Sequence, residues 1–434
     1  MDGALQYEVY RDSGVDWIGD VPSDWSVKRL KFLFRETNAR TRTGQETLYS
    51  LRMIEGLVPH DEVSDKPIAP EDLVDYKLIS PGQVVMNRMR AAIGIFGVAP
   101  ASGLVSPDYA IFDVDPEVDA QFFLRVFKTN LMGTRFRLAS KGMGTGSQGF
   151  MRLYTEEFGD IKVAVPPLKT QREIVKAVDE KTAEIDEAIG KKRRLIELLN
   201  EQKAILINRV VTRGLDPSVP MKDSGVDWIG EIPAHWDSAS LKHYCTLIKD
   251  GLHHTPEKFD EGANFVSTQH VRHRMVDLSS ASKISMKDYR SGHTKSKPEA
   301  GDVLITLVGS IGFSAIVEDE HLPLSCTRHV GYVRCKDQRL SNSFLVEYFE
   351  SASFKGFVGE YVSQTAQPSI YLATLAAHKF PVPPFEEQLD IAEACRDIAA
   401  EFQPALDREQ QSIDALIEFK QTLIANAVTG KIKI

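Results

Sequence analysis

Between residues 170 and 212 the apolar side chains return at alternating steps of four and three. Val178, Thr182, Ile185, Ile189, Lys192, Ile196, Leu199, Lys203, Leu206 and Val210 fall on that track, and seven of the ten are apolar. A mean spacing of about 3.5 residues keeps such a stripe on one helix face, as in a coiled-coil seam. The stretch has no proline and one glycine, Gly190, so it predicts a single helix of about 43 residues, roughly 65 Å long. A second track, Ile391, Cys395, Ile398, Phe402, Ala405, Glu409, Ser412, Leu416, Phe419 and Leu423, predicts a partner helix, which Pro404 is expected to kink or break. A long helix with one apolar stripe needs a cover, and each of these can cover the other. Helices of this length are uncommon as ordinary surface elements, which argues against each lying alone on its own domain.

Elsewhere the pattern is mixed. Pro81-Gly82-Gln83-Val84-Val85-Met86 and Ala300-Gly301-Asp302-Val303-Leu304-Ile305 each read as a turn feeding a β-strand. Amphipathic stretches at 120–138 and 343–358 read as helices. The segments outside the long helices are therefore expected to be α/β bodies.

The chain is also written twice. Asp-Ser-Gly-Val-Asp-Trp-Ile-Gly occupies 12–19 and again 223–230. Val21-Pro22 with Trp25 and Leu30-Lys31 return as Ile232-Pro233 with Trp236 and Leu241-Lys242. Downstream, Val165-Pro166-Pro167, Gln171 and Ile174 return as Val382-Pro383-Pro384, Gln388 and Ile391, and Glu201, Lys203, Leu206, Ile207, Val211 and Thr212 as Glu418, Lys420, Leu423, Ile424, Val428 and Thr429. So ordered a series marks a tandem duplication. Each repeat has a shared opening segment, a divergent body, a shared Pro-Pro hinge and a shared helix. The expected boundaries are a first body at 1–167, a first long helix at 168–214, a second body at 215–384 and a second long helix at 385–434. If the helices pair antiparallel, the bodies are related by an approximate two-fold axis. Proteins with that symmetry read two half-sites of duplex DNA at a fixed separation.

Composition narrows the class. With 434 residues, 42% hydrophobic and 26% charged, the chain suits a folded protein of two to four domains. No run of about 18 apolar residues predicts a membrane helix, and Met1-Asp2-Gly3-Ala4 does not open a signal peptide. Four cysteines, Cys245, Cys326, Cys335 and Cys395, imply a reduced, cytoplasmic protein without a disulfide framework. The formal charge of −9 hides local bases. Nothing acidic lies between Asp119 and Glu156, where Arg125, Lys128, Arg135, Arg137, Lys141 and Arg152 fall. Residues 382–434 carry 5 Lys and Arg against 10 Asp and Glu, which suits a protein partner better than phosphate.

Several catalytic look-alikes fail on their chemistry. Val382-Pro383-Pro384-Phe385 has the outline of an amino-methyltransferase motif, but valine cannot accept the hydrogen bond of a target amine, so it reads as a hinge. Gly144-Thr145-Gly146-Ser147-Gln148-Gly149 matches G-x-G-x-x-G without a surrounding βαβ unit, and reads as a loop where glycine permits close backbone approach. Pro107-Asp108 with Asp160-Ile161-Lys162 imitates a nuclease pattern, with Asp160 set beside the hinge. Ten of the eleven histidines follow residue 234, but His253-His254 and His270 with His273 lack partners at ligand spacing, and Cys326 to Cys335 is too wide for a zinc knuckle. Surface or DNA-facing histidines are expected, with no catalytic site and no metal site on this chain.

The arrangement resembles the specificity (S) subunit of type I restriction–modification enzymes. The likeness is carried by Gly14-Val15-Asp16-Trp17-Ile18-Gly19 with Pro22 and Trp25, by the second copy from Gly225 to Trp236, and by the two Pro-Pro hinges with Gln171 and Glu387-Gln388. The resemblance implies two target recognition domains, each reading one half of a split DNA site, on helices that set the gap and dock two methyltransferase subunits. Motor-nuclease subunits would join that core, with S-adenosylmethionine, ATP and Mg2+ held by the partner subunits and none by this chain. Thr182-Ala183-Glu184-Ile185 is similar to the short helical repeat that sets spacing in some members. A solitary DNA-binding scaffold or regulator, and a protein–protein adaptor built on the coiled coil, are the competing classes.

In the major groove Arg and Lys read guanine and Asn and Gln read adenine, while phosphate contacts supply affinity. By residue type the DNA-contacting candidates are Asn87, Arg88 and Arg90 past a strand, then Lys141, Ser147 and Gln148 in the Gly-rich segment. In the second body they are Gln269, Arg272 and Arg274, then Arg328, and Gln364 and Gln367 near the place equivalent to Gln148.

Overall fold

A computed structural model describes residues 6–143, 150–272, 274–294, 296–362 and 368–434. The octapeptide that occurs twice closes a β-hairpin each time. Tyr10–Asp12 pairs antiparallel with Asp20–Pro22, and Met221–Asp223 with Glu231–Pro233. The turn is written in its own side chains. Asp12 accepts from the Gly14 N–H at 2.9 Å and Ser13 Oγ from the Val15 N–H at 3.2 Å; Asp223 with Gly225 and Ser224 with Val226 repeat both distances. Gly14, Gly19, Gly225 and Gly230 have φ of 65°, 69°, 69° and 72°, the left-handed region that favours glycine.

Beyond the hairpin each copy buries a tryptophan, Trp25 or Trp236. A short strand follows and pairs antiparallel with the strand before the Pro-Pro hinge: Ser26–Arg29 with Lys162–Val165, and Asp237–Ser240 with Lys379–Val382. Each hinge is locked by the same buried glutamine. Gln171 accepts from the Asp119 N–H at 2.7 Å and donates to the Glu117 and Pro166 carbonyls; Gln388 accepts from the Ser341 N–H at 2.7 Å and donates to the Arg339 and Pro383 carbonyls. The repeated Pro-Pro-x-x-x-Gln pattern is thus a clamp joining the start of a long helix to its own body.

Each body is built on an antiparallel four-stranded sheet of the same order. In the first the order is Phe34–Thr37, Tyr109–Val114, Val84–Asn87, Phe96–Val98; in the second it is Cys245–Asp250, Val330–Cys335, Val303–Thr306, Ser314–Ile316. The strands expected at 81–86 and 300–305 are therefore central ones. The helix expected at 120–138 divides at Thr129, whose hydroxyl donates to the Val126 carbonyl and caps the next helix through the Met132 N–H. Its counterpart at 343–358 divides at Ser351 in the same way. A hydroxyl that caps one helix while closing another is a local stop that apolar periodicity does not register. The second body carries an additional sheet, Lys258–Phe259, Ser282–Ile284, Ala263–Val266, Leu324–Cys326.

The long helices run Leu168–Arg213 and Phe385–Val428. Contacts divide the molecule into two units, residues up to 192 with 411–434, and residues 193–410. Each helix therefore begins in one unit and ends in the other. In the first unit Asp186 pairs with Lys420 at 2.6 Å, while Ile174 and Val178 share an apolar cluster with Ala427 and Val428, so the two segments run antiparallel. In the second unit Ile207 and Val211 share a cluster with Ile391 and Cys395.

All ten positions of the first predicted track are buried or half-buried. The second needs two corrections. Its helix is continuous through Pro404, which sits on an exposed face where water can satisfy the carbonyl the ring leaves unpaired. Phe419 is 50% exposed, and Ile413 and Lys420 turn inward instead. Burying Ile413 removes more apolar area from water than burying Ser412, and the turns that follow rotate with it.

Candidate nucleic-acid interface

Strand pairing brings the variable segments of each body to one sheet end. Tyr109 lies opposite Asn87, so the chain leaving Asn87 and the chain entering Tyr109 emerge together. The Leu153 N–H donates to the Arg88 carbonyl at 2.9 Å and ties in the hairpin Lys141–Met143 with Phe150–Arg152. The second body repeats the construction. Thr306 lies opposite Val330, and the Ile370 N–H donates to the Leu307 carbonyl at 2.9 Å. Here the segments frame a hollow of about 570 Å3 lined by Asp250, His253, Arg328, His329 and Tyr371.

In the first body the Asn87 side chain accepts from the Met89 and Arg90 N–H groups and shapes the turn, leaving Arg90 exposed. Arg88 is held by Glu36 and donates to Thr155 Oγ1 at 3.2 Å. The same Glu36 lies 3.7 Å from Lys77, whose pKa is lowered by burial and by the neighbouring Arg88 charge. Arg88 thus belongs to an internal charge cluster at the root of the loop. Lys141 is exposed and pairs with Glu157, which raises the lysine's pKa. Ser147 and Gln148 lie outside the described residues.

In the second body Gln269 is exposed beside His270. Arg272 stacks on Phe313 at 4.2 Å and has a buried Nη1 without a partner. Arg274 turns inward, donating to Glu347 at 2.7 Å with Glu350 at 3.9 Å. Burial opposes its charge, but the two carboxylates outweigh burial and raise its pKa. Arg328 is exposed at the hollow; Gln364 and Gln367 lie outside the described residues. The structure thus joins Asn87, Arg88, Arg90 and the Lys141 hairpin in one cluster and puts Arg328 at the equivalent end of the second body. Tyr371, 76% exposed in the hollow, was not singled out by sequence; a lone aromatic before a short helix carries no distinguishing pattern.

The nuclease-like carboxylates are engaged in ion pairs, and the Gly-rich segment 144–149 lies outside the described residues. Asp160 pairs with Lys31 at 2.8 Å and Arg29 at 3.2 Å, and Asp108 lies 3.6 Å from Arg152. The expectation of surface histidines fails for His270, His321 and His378, which are buried. The Nδ1 atoms of His270 and His321 accept from the Ser267 and Glu318 N–H groups and close short turns. Among the described residues no group of three metal-ligating side chains occurs, and no helix is long and apolar enough to cross a membrane.

Residues 236–403 match the family described as the type I restriction modification DNA specificity domain. The chain is 25% identical over 301 residues to the type I restriction enzyme MjaVIII specificity subunit of Methanocaldococcus jannaschii, covering 68% of this chain and 67% of that one. It is 21% identical over 443 residues to the putative MjaX specificity subunit of the same organism, covering 96% of both. A solved structure from a type I restriction–modification system superposes with a TM-score of 0.65 at 16% identity, over 94% of this chain and 98% of that one. Duplicated α/β bodies on two long helices, with a DNA specificity domain in the second half, define a DNA-recognition protein. Residues 236–403 thus carry a type I DNA specificity domain, and the chain is similar over most of its length to specificity subunits of type I restriction–modification systems, which are non-catalytic components of those systems.

Proposed function

We propose that this subunit reads a bipartite, asymmetric duplex site, one half-site per body, with the gap set by the long helices. The observation that carries the reading is the placement of different side chains at the same end of the same sheet: Arg88 and Arg90 in one body, Arg328, His329 and Tyr371 in the other. Exposed Arg90, Lys141, Gln269 and Arg328 are the contacts assigned to DNA, with Ser147, Gln148, Gln364 and Gln367 in the adjoining segments. Asn87, Arg88 and Arg274 shape the loops that present them, and Arg272 is placed by its stack on Phe313.

The helices and repeated frame would dock two methyltransferase subunits, through which the motor-nuclease subunits join. S-adenosylmethionine, ATP and Mg2+ belong on those partners. The test is genome-wide methylation profiling of cells with and without the gene. Loss of one split motif, two short half-sites around a constant gap, is the expected result; unchanged methylation while the protein is expressed would overturn it.

A further inference from the structure

The repeated octapeptide carries a tryptophan that sequence recognition leaves without a role. In the first unit Trp17 is faced by Arg135, whose guanidinium carbon lies 5.0 Å from the ring centroid, close enough for the ring to attract the cation. Trp228 is its counterpart in the second copy. Helices Asn130–Ala139 and Ala352–Tyr361 have ten residues each and are capped by the hydroxyls of Thr129 and Ser351. Counted from those caps, Arg135 and Phe357 share a position, as do Leu138 and Glu360. The second copy has exchanged its internal cation for a ring and put a carboxylate one turn further on.

What surrounds Trp228 is a hollow of about 660 Å3 whose lining includes Asp227, Phe357, Glu360, Tyr361 and Lys379. Trp228 and Tyr361 stand at 87° with centroids 5.5 Å apart, and Tyr361 is 52% exposed. Both rings line the hollow, and the face of an aromatic ring attracts a cation. Asp227 and Glu360, both exposed, outnumber the single lysine at the rim. His378 stacks on Trp228 at 5.8 Å and 20° and, being buried, adds no opposing charge.

We infer that this hollow receives an arginine side chain from a protein partner. Phe357 already fills on Trp228, at 5.3 Å, the place that Arg135 takes on Trp17, so the incoming guanidinium would lie against the exposed Tyr361 ring beside Trp228 and pair with the carboxylates at the rim. Arginine fits better than lysine because its planar, weakly hydrated cation stacks on aromatic faces. The inference does not depend on how the bodies read DNA.

The test is fluorine NMR of the full chain labelled with 5-fluorotryptophan at Trp17, Trp25, Trp228 and Trp236, titrated with ethylguanidinium and separately with ethylammonium. The Trp228 resonance is expected to shift saturably, at several-fold lower concentration for the guanidinium. Glu360→Lys should weaken that response about tenfold. Trp17 should stay silent until Arg135→Ala frees its face. The buried Trp25 and Trp236 resonances report that each variant is folded. A Trp228 signal that stays still, moves linearly in step with Trp25 and Trp236, or is unaffected by Glu360→Lys would overturn the inference.

Discussion

His378 and Ile161 hold equivalent backbone positions in the two repeats and differ in chemistry. Its carbonyl accepts from the Leu241 N–H at 2.9 Å, as the Ile161 carbonyl accepts from Leu30 at the same distance. The imidazole is buried among Tyr348, Phe354 and Phe357, with Nε2 2.9 Å from the Tyr348 hydroxyl and Nδ1 without a partner. Desolvation by burial pushes its pKa down to about 3. The unfolded chain binds this proton near pH 6.5 and the folded chain does not, so the neutral side chain contributes its full stability above pH 6.5 and loses it as pH falls toward 3. The second unit should lose about 4 kcal/mol to this group over that window, whereas Ile161 gives the first unit no such term. Denaturant titrations at pH 7 and pH 4, comparing the wild type with His378→Gln, check this: the variant should show the smaller pH-dependent loss.

Among the elements, Pro404 works against its own helix. It removes a backbone donor from Phe385–Val428 without ending it. Pro404→Ala should therefore raise the stability of the second unit by up to about 3 kcal/mol, read as a higher denaturant midpoint at unchanged slope. The long helices were legible in sequence because one period governs some forty residues, and the framing motifs because they occur twice. Phe419 was misread because the track was continued past Ser412, where burial of Ile413 rotates the helix. The interface was less legible for a related reason. Arg274 looks like a base reader in the run Gln269–Arg274, yet its orientation is set by Glu347, 73 residues away. Arg88 likewise answers to Glu36 across the sheet. Local sequence states which side chains carry charge, but distant partners decide which of them stay free.

At the scale of the whole molecule, the second unit is one continuous piece of chain and the first is not. Residues 411–434 complete the first unit, where Ala427 and Val428 join its core and a side chain at Gly430 would meet the Trp25 ring at 3.2 Å. Deleting 411–434 should thus strip hydrogen-exchange protection from strands Ser26–Arg29 and Lys162–Val165 while 193–410 keeps most of its own. Equal loss in both units would show that the division does not hold in solution. The same threading sets an order in time. A ribosome delivers the chain from its N-terminus, so the first body is made long before the segment that seals it. Its tryptophan pocket stays open while the second body is synthesised and closes only when the last turns of the second helix arrive. The half of the protein translated first is the half finished last, and during that interval it is the part most in need of protection from aggregation and proteolysis.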